Sequence, residues 1–145
     1  MIRRMNNISS EINAVMDIWL ESTIAAHDFI PEDYWRKNYD VVKEIYIPQS
    51  ETYVYIEESI ILGFISVINE EFIGAIFVNK AHQGEGIGRK LVDFVKLIYK
   101  VLSLAVYKEN QNAVRFYENM GFICISEQPN EDTNEPEYIM SIKLL

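Results

Sequence analysis

FIGAIFVNKAHQGEGIGRKLVDFVKL, residues 72–97, joins an apolar strand to an amphipathic helix through a loop with three closely spaced glycines. Gly84, Gly86 and Gly88 carry no Cβ atom, so successive backbone N–H groups of the loop can converge on one point. A helix that begins at such a loop adds partial positive charge there. The sequence therefore predicts an anion-binding loop suited to a phosphate or pyrophosphate.

Two common nucleotide-binding loops do not match this spacing. A P-loop needs Lys-Ser or Lys-Thr after its last glycine, and neither pair follows Gly88. A dinucleotide-binding loop needs Gly-x-Gly-x-x-Gly, whereas this loop has Gly-x-Gly-x-Gly and no second βαβ half after it. A glycine-rich turn that binds nothing is the plain alternative, but the strand and the periodic helix on either side disfavour it.

Two ordered motifs resemble those of the GNAT N-acetyltransferases. Gln83-x-x-Gly86-x-Gly88 resembles the acetyl-CoA motif of that family, Gln/Arg-x-x-Gly-x-Gly/Ala. Residues 106–122, VYKENQNAVRFYENMGF, resemble its Asn-x-x-Ala-x-x-x-Tyr-x-x-x-Gly-Phe segment. The segments at 18–23, 27–30, 34–35 and 139–141 extend the likeness over nearly the whole chain, toward small bacterial peptidyl-lysine N-acetyltransferases.

The resemblance implies an α+β, three-layer fold with acetyl-CoA as co-substrate and no metal. A mixed central sheet of about six to seven strands would run as an antiparallel meander and then a splayed parallel pair, flanked by about four helices. The pantetheine arm of acetyl-CoA would enter between the splayed strands. The implied cofactor-binding residues are Ile76, Phe77, Val78, Gln83, Gly84, Glu85, Gly86, Ile87, Gly88, Arg89 and Asn110.

The resemblance also implies direct attack of a neutral amine on the thioester in a ternary complex. A backbone N–H near Val78 would polarise the carbonyl, and Tyr117 matches the general acid of the family. Packing is the structural alternative for Tyr117, and helix capping is the alternative for Asn110.

The general base is not carried over by the resemblance, because Ala105 stands where several relatives have Glu. Glu71 and His27 are the favoured candidates, Glu71 at the entrance to the splayed strand and His27 for its near-neutral intrinsic pKa. Glu70 and Glu109 are further candidates. A water chain, or an amine that arrives neutral, would also serve.

Composition and charge limit the domain organisation and the classes of partner that the chain could bind. At 145 residues, with 49% hydrophobic and 24% charged residues, the chain is expected to form one domain, 1–145. The net charge of −9 disfavours nucleic acid and suits a cationic acceptor, although surplus acid also promotes solubility. No apolar stretch approaches the ~20 residues of a membrane span, which predicts a soluble, cytoplasmic protein without membrane contacts.

Cys124, the only cysteine, lies in an apolar run and is expected in the core.

Protein lysine is the leading acceptor by resemblance. The alternatives are a small cationic amine (a polyamine, an aminosugar or an amino acid) and a non-catalytic acetyl-CoA-binding module, which the missing Glu at Ala105 favours. The acceptor groove would form from residues 27–46 and the polar loop 128–137, and the protein would be a monomer or homodimer.

Hydrophobic periodicity predicts the helices and strands along the chain. Helices are expected at residues 10–26, 32–46, 87–98 and 112–120, with Pro48 after the end of the second. Strands are expected at residues 2–5, 52–57, 60–69, 72–78, 101–106, 122–127 and 138–144.

Overall fold

A computed structural model describes residues 1–144 of the chain. Its helices are α1 (Ser9–Ala26), α2 (Glu32–Val41), α3 (Ile87–Lys96) and α4 (Gln111–Asn119). Its strands are β1 (Ile2–Arg4), β2 (Ser50–Glu57), β3 (Ile60–Ile68), β4 (Phe72–Val78), β5 (Val101–Tyr107), β6 (Ile123–Pro129) and β7 (Pro136–Lys143). Among the described residues, no helix is long and apolar enough to cross a bilayer.

All seven strands form one mixed sheet, in the order β1-β2-β3-β4-β5-β7-β6. The strands β1 to β4 make an antiparallel meander, β4 and β5 are parallel, and β7 pairs antiparallel with both β5 and β6. The parallel neighbour needs a crossover, and α3 provides it. The predicted mixed sheet, with its meander and parallel pair flanked by helices, is confirmed.

The helices cover both faces of the sheet and enclose two apolar cores. On one face α3 and α4 pack against the sheet, with Leu91, Val95 and Leu102 wholly buried. On the other face α1 and α2 pack against β2 and β3, where Met16 and Phe64 are wholly buried. This is the expected three-layer arrangement, and the sheet between the two cores carries the site.

The second helix extends past the proline that was expected to follow it. A π-helical turn, Val42–Tyr46, and a last helical turn, Ile47–Gln49, continue α2 without interruption. The N–H of Ile47 donates to the carbonyl of Val42, five residues back, and this wider turn accommodates Pro48, which has no N–H to offer.

The prediction that Cys124 lies in the core is wrong, because the thiol is exposed. Its strand, β6, forms the edge of the sheet, and every residue from Ile123 to Pro129 is exposed. The apolar run that suggested burial therefore lies on an uncovered edge strand.

Candidate active site

The parallel strands β4 and β5 separate beyond a single point of pairing. Phe72 is in register with Ser103, whose N–H donates to the carbonyl of Glu71 at 2.8 Å. No further pair joins the two strands within the described chain, so a gap opens toward their carboxyl ends. A cavity of about 280 Å³ occupies this gap and reaches residues on both faces of the sheet.

Backbone groups of β4 face the gap. The N–H of Asn79 donates to the carbonyl of Leu62 in β3 at 2.7 Å. Because the backbone groups of successive residues point to opposite edges of a strand, those of Phe77 also face β3, whereas those of Ile76 and Val78 face the gap. An extended ligand that enters the gap therefore finds two backbone N–H donors at the edge of β4.

The glycine-rich loop forms a second cavity, of about 340 Å³, at the start of α3. Gly84 and Gly86 have φ values of +83° and +82°, in the left-handed region that favours glycine, and a Cβ atom on either would meet no atom within 4 Å. The loop thus leaves open space over its own backbone. This conformation, at the amino end of a helix, fits a phosphate-bearing group such as the pyrophosphate of acetyl-CoA.

The other residues of the loop contribute unequally. The Gln83 side chain donates from Nε2 to the carbonyl of Val78 at 3.2 Å and so ties the loop to β4. Ile87 is buried in the core below α3, so only its backbone is available to a ligand. Arg89 borders the cavity and supplies positive charge, whereas Glu85 is exposed to solvent.

Helix α4 brings the Tyr117 side chain to the first cavity, where it is buried against the apolar core. Its hydroxyl has no hydrogen-bond partner among residues 1–144. Burial raises the pKa of the Tyr117 phenol above its ordinary value near 10, so at neutral pH the group keeps the proton that a phenol ordinarily carries. The phenol is therefore an unengaged donor beside the gap.

His27 approaches the same cavity from the other face of the sheet, just after the end of α1. The ring is buried, and its Nδ1 atom lies 2.7 Å from the carbonyl oxygen of Thr23. Burial is the main cause that lowers the pKa of His27, so the ring is neutral at neutral pH. Tyr107 and Trp35 pack against the imidazole, with ring centroids 5.2 and 5.0 Å away.

Asn110 connects His27 with the helix that carries Tyr117. Its Oδ1 atom accepts the N–H of Ala113 at 3.4 Å and caps α4, as its position before the helix predicts. Its Nδ2 atom lies 3.5 Å from the Nε2 atom of His27. Asn110 thus joins His27 to the start of α4, and it borders the cavity itself.

The structure separates Glu71 from these residues. Glu71 precedes Phe72, at the end of the gap where β4 and β5 remain paired, and it does not line the cavity. Glu71 was expected at the entrance to the splayed strand. The strands β4 and β5 instead separate toward their carboxyl ends, away from Glu71. Ala105 does line the cavity, and with no acidic side chain there the cavity wall lacks the Glu that several relatives carry at this position.

Sequence reasoning missed Glu137, a buried acidic residue that lines the cavity. It is the first charged residue of β7 and lies opposite Tyr107 in the register of β5 and β7. The polar loop 128–137 was expected to contribute to the acceptor groove as a whole. Nothing in the sequence distinguished Glu137 from the other acidic residues nearby.

These features can be compared with those of known proteins. The sequence profile of the acetyltransferase (GNAT) domain family matches residues 23–144. The chain belongs to this family. Peptidyl-lysine N-acetyltransferase YiaC of Escherichia coli is 36% identical to it over 132 residues, which are 91% of this chain and 90% of YiaC. This GNAT protein is therefore an N-acetyltransferase with acetyl-CoA as co-substrate.

Solved structures agree with the GNAT fold. The solution structure of the apo form of YjaB from Escherichia coli superposes with a TM-score of 0.82 at 26% identity, covering 97% of this chain and 95% of YjaB. The PaiA N-acetyltransferase of Thermoplasma acidophilum, crystallised with coenzyme A, superposes with a TM-score of 0.78 at 17% identity, covering 99% of each chain. The fold expected from the two sequence motifs is thus the observed one.

Proposed function

We propose that this GNAT enzyme, with residues 1–145 as one catalytic domain, transfers acetyl groups to primary amines and that protein lysine side chains are its leading acceptors. The observation that carries the proposal is the cavity between β4 and β5, because Ile76 of β4, Tyr117 and His27 all line it. The name of YiaC as a peptidyl-lysine N-acetyltransferase supports lysine, and the net charge of −9 favours cationic acceptors.

The residues present fit acetyl-CoA. Acetyl-CoA supplies an activated acetyl thioester. The backbone N–H groups of Ile76 and Val78 would hold its pantetheine arm, with Phe77 between them in β4, and the N–H of Val78 would also polarise the acetyl carbonyl. Residues 83–89 would hold the pyrophosphate through backbone N–H groups, because the left-handed conformations of Gly84 and Gly86 keep that surface open.

Tyr117 and His27 divide the proton transfers in this proposal. The neutral His27 ring accepts the proton that the attacking amine loses, at the nitrogen that is not hydrogen-bonded to Thr23. The Tyr117 phenol, which is protonated at neutral pH, donates its proton to the departing sulfur. His27 thus replaces the Glu that relatives carry at the position of Ala105, and Glu71, outside the cavity, is not needed as the base.

Acetyl-CoA binding and acceptor-dependent release of free coenzyme A test this proposal together. Binding is measured by calorimetry, and thiol release is measured with a lysine peptide, a peptide with a free N-terminal amine only, spermidine, an aminosugar and a free amino acid. Release with the lysine peptide that exceeds release with the others supports a peptidyl-lysine acetyltransferase. Release with only a small amine would reassign the acceptor.

Two outcomes would contradict the proposal. Binding without release from any acceptor would indicate a non-catalytic acetyl-CoA-binding module. Absence of binding would overturn the assignment of the loop from Gln83 to Arg89.

A further inference from the structure

Glu137 is a buried carboxylate without a cationic partner. The residue is 7% exposed, and no other Asp or Glu in the described part of the chain is buried. None of the ion pairs found within residues 1–144 includes it. A buried carboxylate is stabilised by an opposite charge as well as by hydrogen bonds, and the described chain places no cation beside Glu137.

Two neutral amides hold Glu137 in a fixed position. Its Oε2 atom accepts from Gln128 Nε2 at 2.8 Å, and its Oε1 atom accepts from Asn130 Nδ2 at 2.9 Å. The Oδ1 atom of Asn130 accepts backbone N–H groups from Asp132 and Thr133, which fixes the orientation of that amide. Each carboxylate oxygen keeps a second lone pair for another donor.

The surroundings of Glu137 suit an alkylammonium group. The residue lines the same cavity as His27, Tyr117 and the β4 edge. Trp35 and Tyr107 also line it, so part of the cavity wall is aromatic. A cavity that combines one uncompensated carboxylate with aromatic walls is complementary to a positively charged group on an apolar stem.

We propose that Glu137 binds the ammonium group of the acceptor and thereby selects a primary alkylammonium, such as a lysine side chain, over neutral molecules of the same shape. This inference rests on the proposed function, because it assigns the acceptor side of the same cavity. Glu137 binds and positions the acceptor as its ammonium, one proton then passes to water to leave the neutral amine, and His27 accepts the second proton as the amine attacks.

The wild-type protein provides a first test with simple probes. n-Butylammonium chloride reproduces the end of a lysine side chain, and n-butanol is its neutral counterpart. We expect n-butylammonium to shift the NMR signals of the Gln128 and Asn130 side-chain amides, whereas n-butanol at the same concentration leaves them unchanged. Equal responses to both probes, or none to n-butylammonium, would overturn the inference.

Glu137→Gln provides the second test, with Glu131→Gln as the matched control. Glu131 lies in the loop between β6 and β7, is exposed, and its substitution makes the same change in net charge. We expect Glu137→Gln to raise the KM for the best acceptor amine at least about tenfold, because a buried charge partner is lost. Acetyl-CoA affinity should stay within about twofold in both variants, as should the KM of Glu131→Gln.

The outcomes separate this inference from the proposed function. An unchanged KM in a folded Glu137→Gln variant would overturn the role of Glu137 while acetyl transfer stands. A wild-type protein that turns over no amine yet binds n-butylammonium through the Gln128 and Asn130 amides would overturn the proposed function and keep the ammonium site. Glu137→Asp keeps the negative charge and serves if Glu137→Gln does not fold. Retained selectivity of Glu137→Asp for n-butylammonium over n-butanol would support the inference, and lost selectivity would overturn it.

Discussion

The Nδ1 atom of His27 lies 2.7 Å from the carbonyl oxygen of Thr23. A carbonyl oxygen accepts but cannot donate, so Nδ1 must carry the ring proton. The Nε2 atom therefore carries the lone pair of the ring, and it faces the Nδ2 amide of Asn110 at 3.5 Å. One backbone contact thus sets the tautomer that a general base requires, and burial keeps the ring neutral.

Replacing His27 by Gln should remove the proposed base. We expect kcat for acetyl transfer to fall about 100-fold or more, because positioned acid–base groups typically contribute that much. Acetyl-CoA affinity should remain within a few-fold, since the loop that would bind it is unchanged. A variant that stays folded and keeps the wild-type kcat would show that water or the substrate removes the proton.

The lowered pKa of His27 also predicts how stability depends on pH. The ring is protonated more easily in the unfolded chain, whose pKa is near 6.5, than in the folded protein. The contribution of His27 to the stability of the folded protein is complete above the unfolded pKa. It is lost as the pH falls toward the lower pKa of the folded protein. Urea unfolding between pH 7 and pH 5 should show a smaller loss of stability in His27→Gln than in the wild type. An equal pH dependence in the two proteins would contradict the burial argument.

Replacing Tyr117 by Phe removes only the hydroxyl of a buried side chain. We expect kcat to fall about 100-fold while acetyl-CoA affinity and thermal stability change little, because the hydroxyl has no protein partner within residues 1–144. Tyr55→Phe is the matched control, since Tyr55 is equally buried and lies outside the cavity. Equal activity of the two variants would limit Tyr117 to packing.

Replacing Gly86 by Ala tests the conformation of the loop. At φ +82° an L-residue is strained by roughly 1–2 kcal/mol, so the loop should change shape and the Kd for acetyl-CoA should rise about tenfold. Gly88→Ala is the comparison: its φ is not left-handed, and its Cβ would meet the Phe116 ring at an ordinary 3.5 Å. Calorimetry should therefore show a smaller loss for Gly88→Ala, and the reverse order would contradict the assigned strain.

The ion pair between Arg3 and Glu11 predicts a separate acid-dependent loss of stability. Two hydrogen bonds, of 2.7 and 3.0 Å, join the side chains, and mainly through these bonds Arg3 lowers the pKa of Glu11 to about 2. The contribution of this ion pair to folding stability is present above the ordinary Glu pKa of 4.5 and is lost as the pH falls toward 2.

Glu11→Gln should therefore cost about 1.5 kcal/mol of unfolding free energy at neutral pH and much less at pH 2.5. Glu32→Gln, in the exposed pair with Arg36, should cost less than about 0.5 kcal/mol. Equal costs in urea titrations at neutral pH would contradict the difference between the two pairs.

Much of the fold could be predicted because it depends on short-range patterns. The period of the apolar residues located α1 and the strands of the meander, and the glycine spacing located the loop before α3. Cys124 shows the limit of this reasoning, because an apolar run looks the same on a covered strand and on an uncovered edge. Pro48 shows another, since a widened helical turn is not encoded by any simple period.

The sequence by itself determined the family and located the glycine-rich loop and Tyr117, because each depends on residues close together in the chain. Only the tertiary structure decided which distant groups meet. His27 follows α1 and Glu137 begins β7, yet both line one cavity because β4 and β5 diverge after Phe72 and Ser103. Glu71 precedes Phe72 in the chain, but it lies at the end of β4 and β5 where the two strands remain paired. The direction in which two strands separate is set by the packing of the whole sheet, which no local pattern encodes.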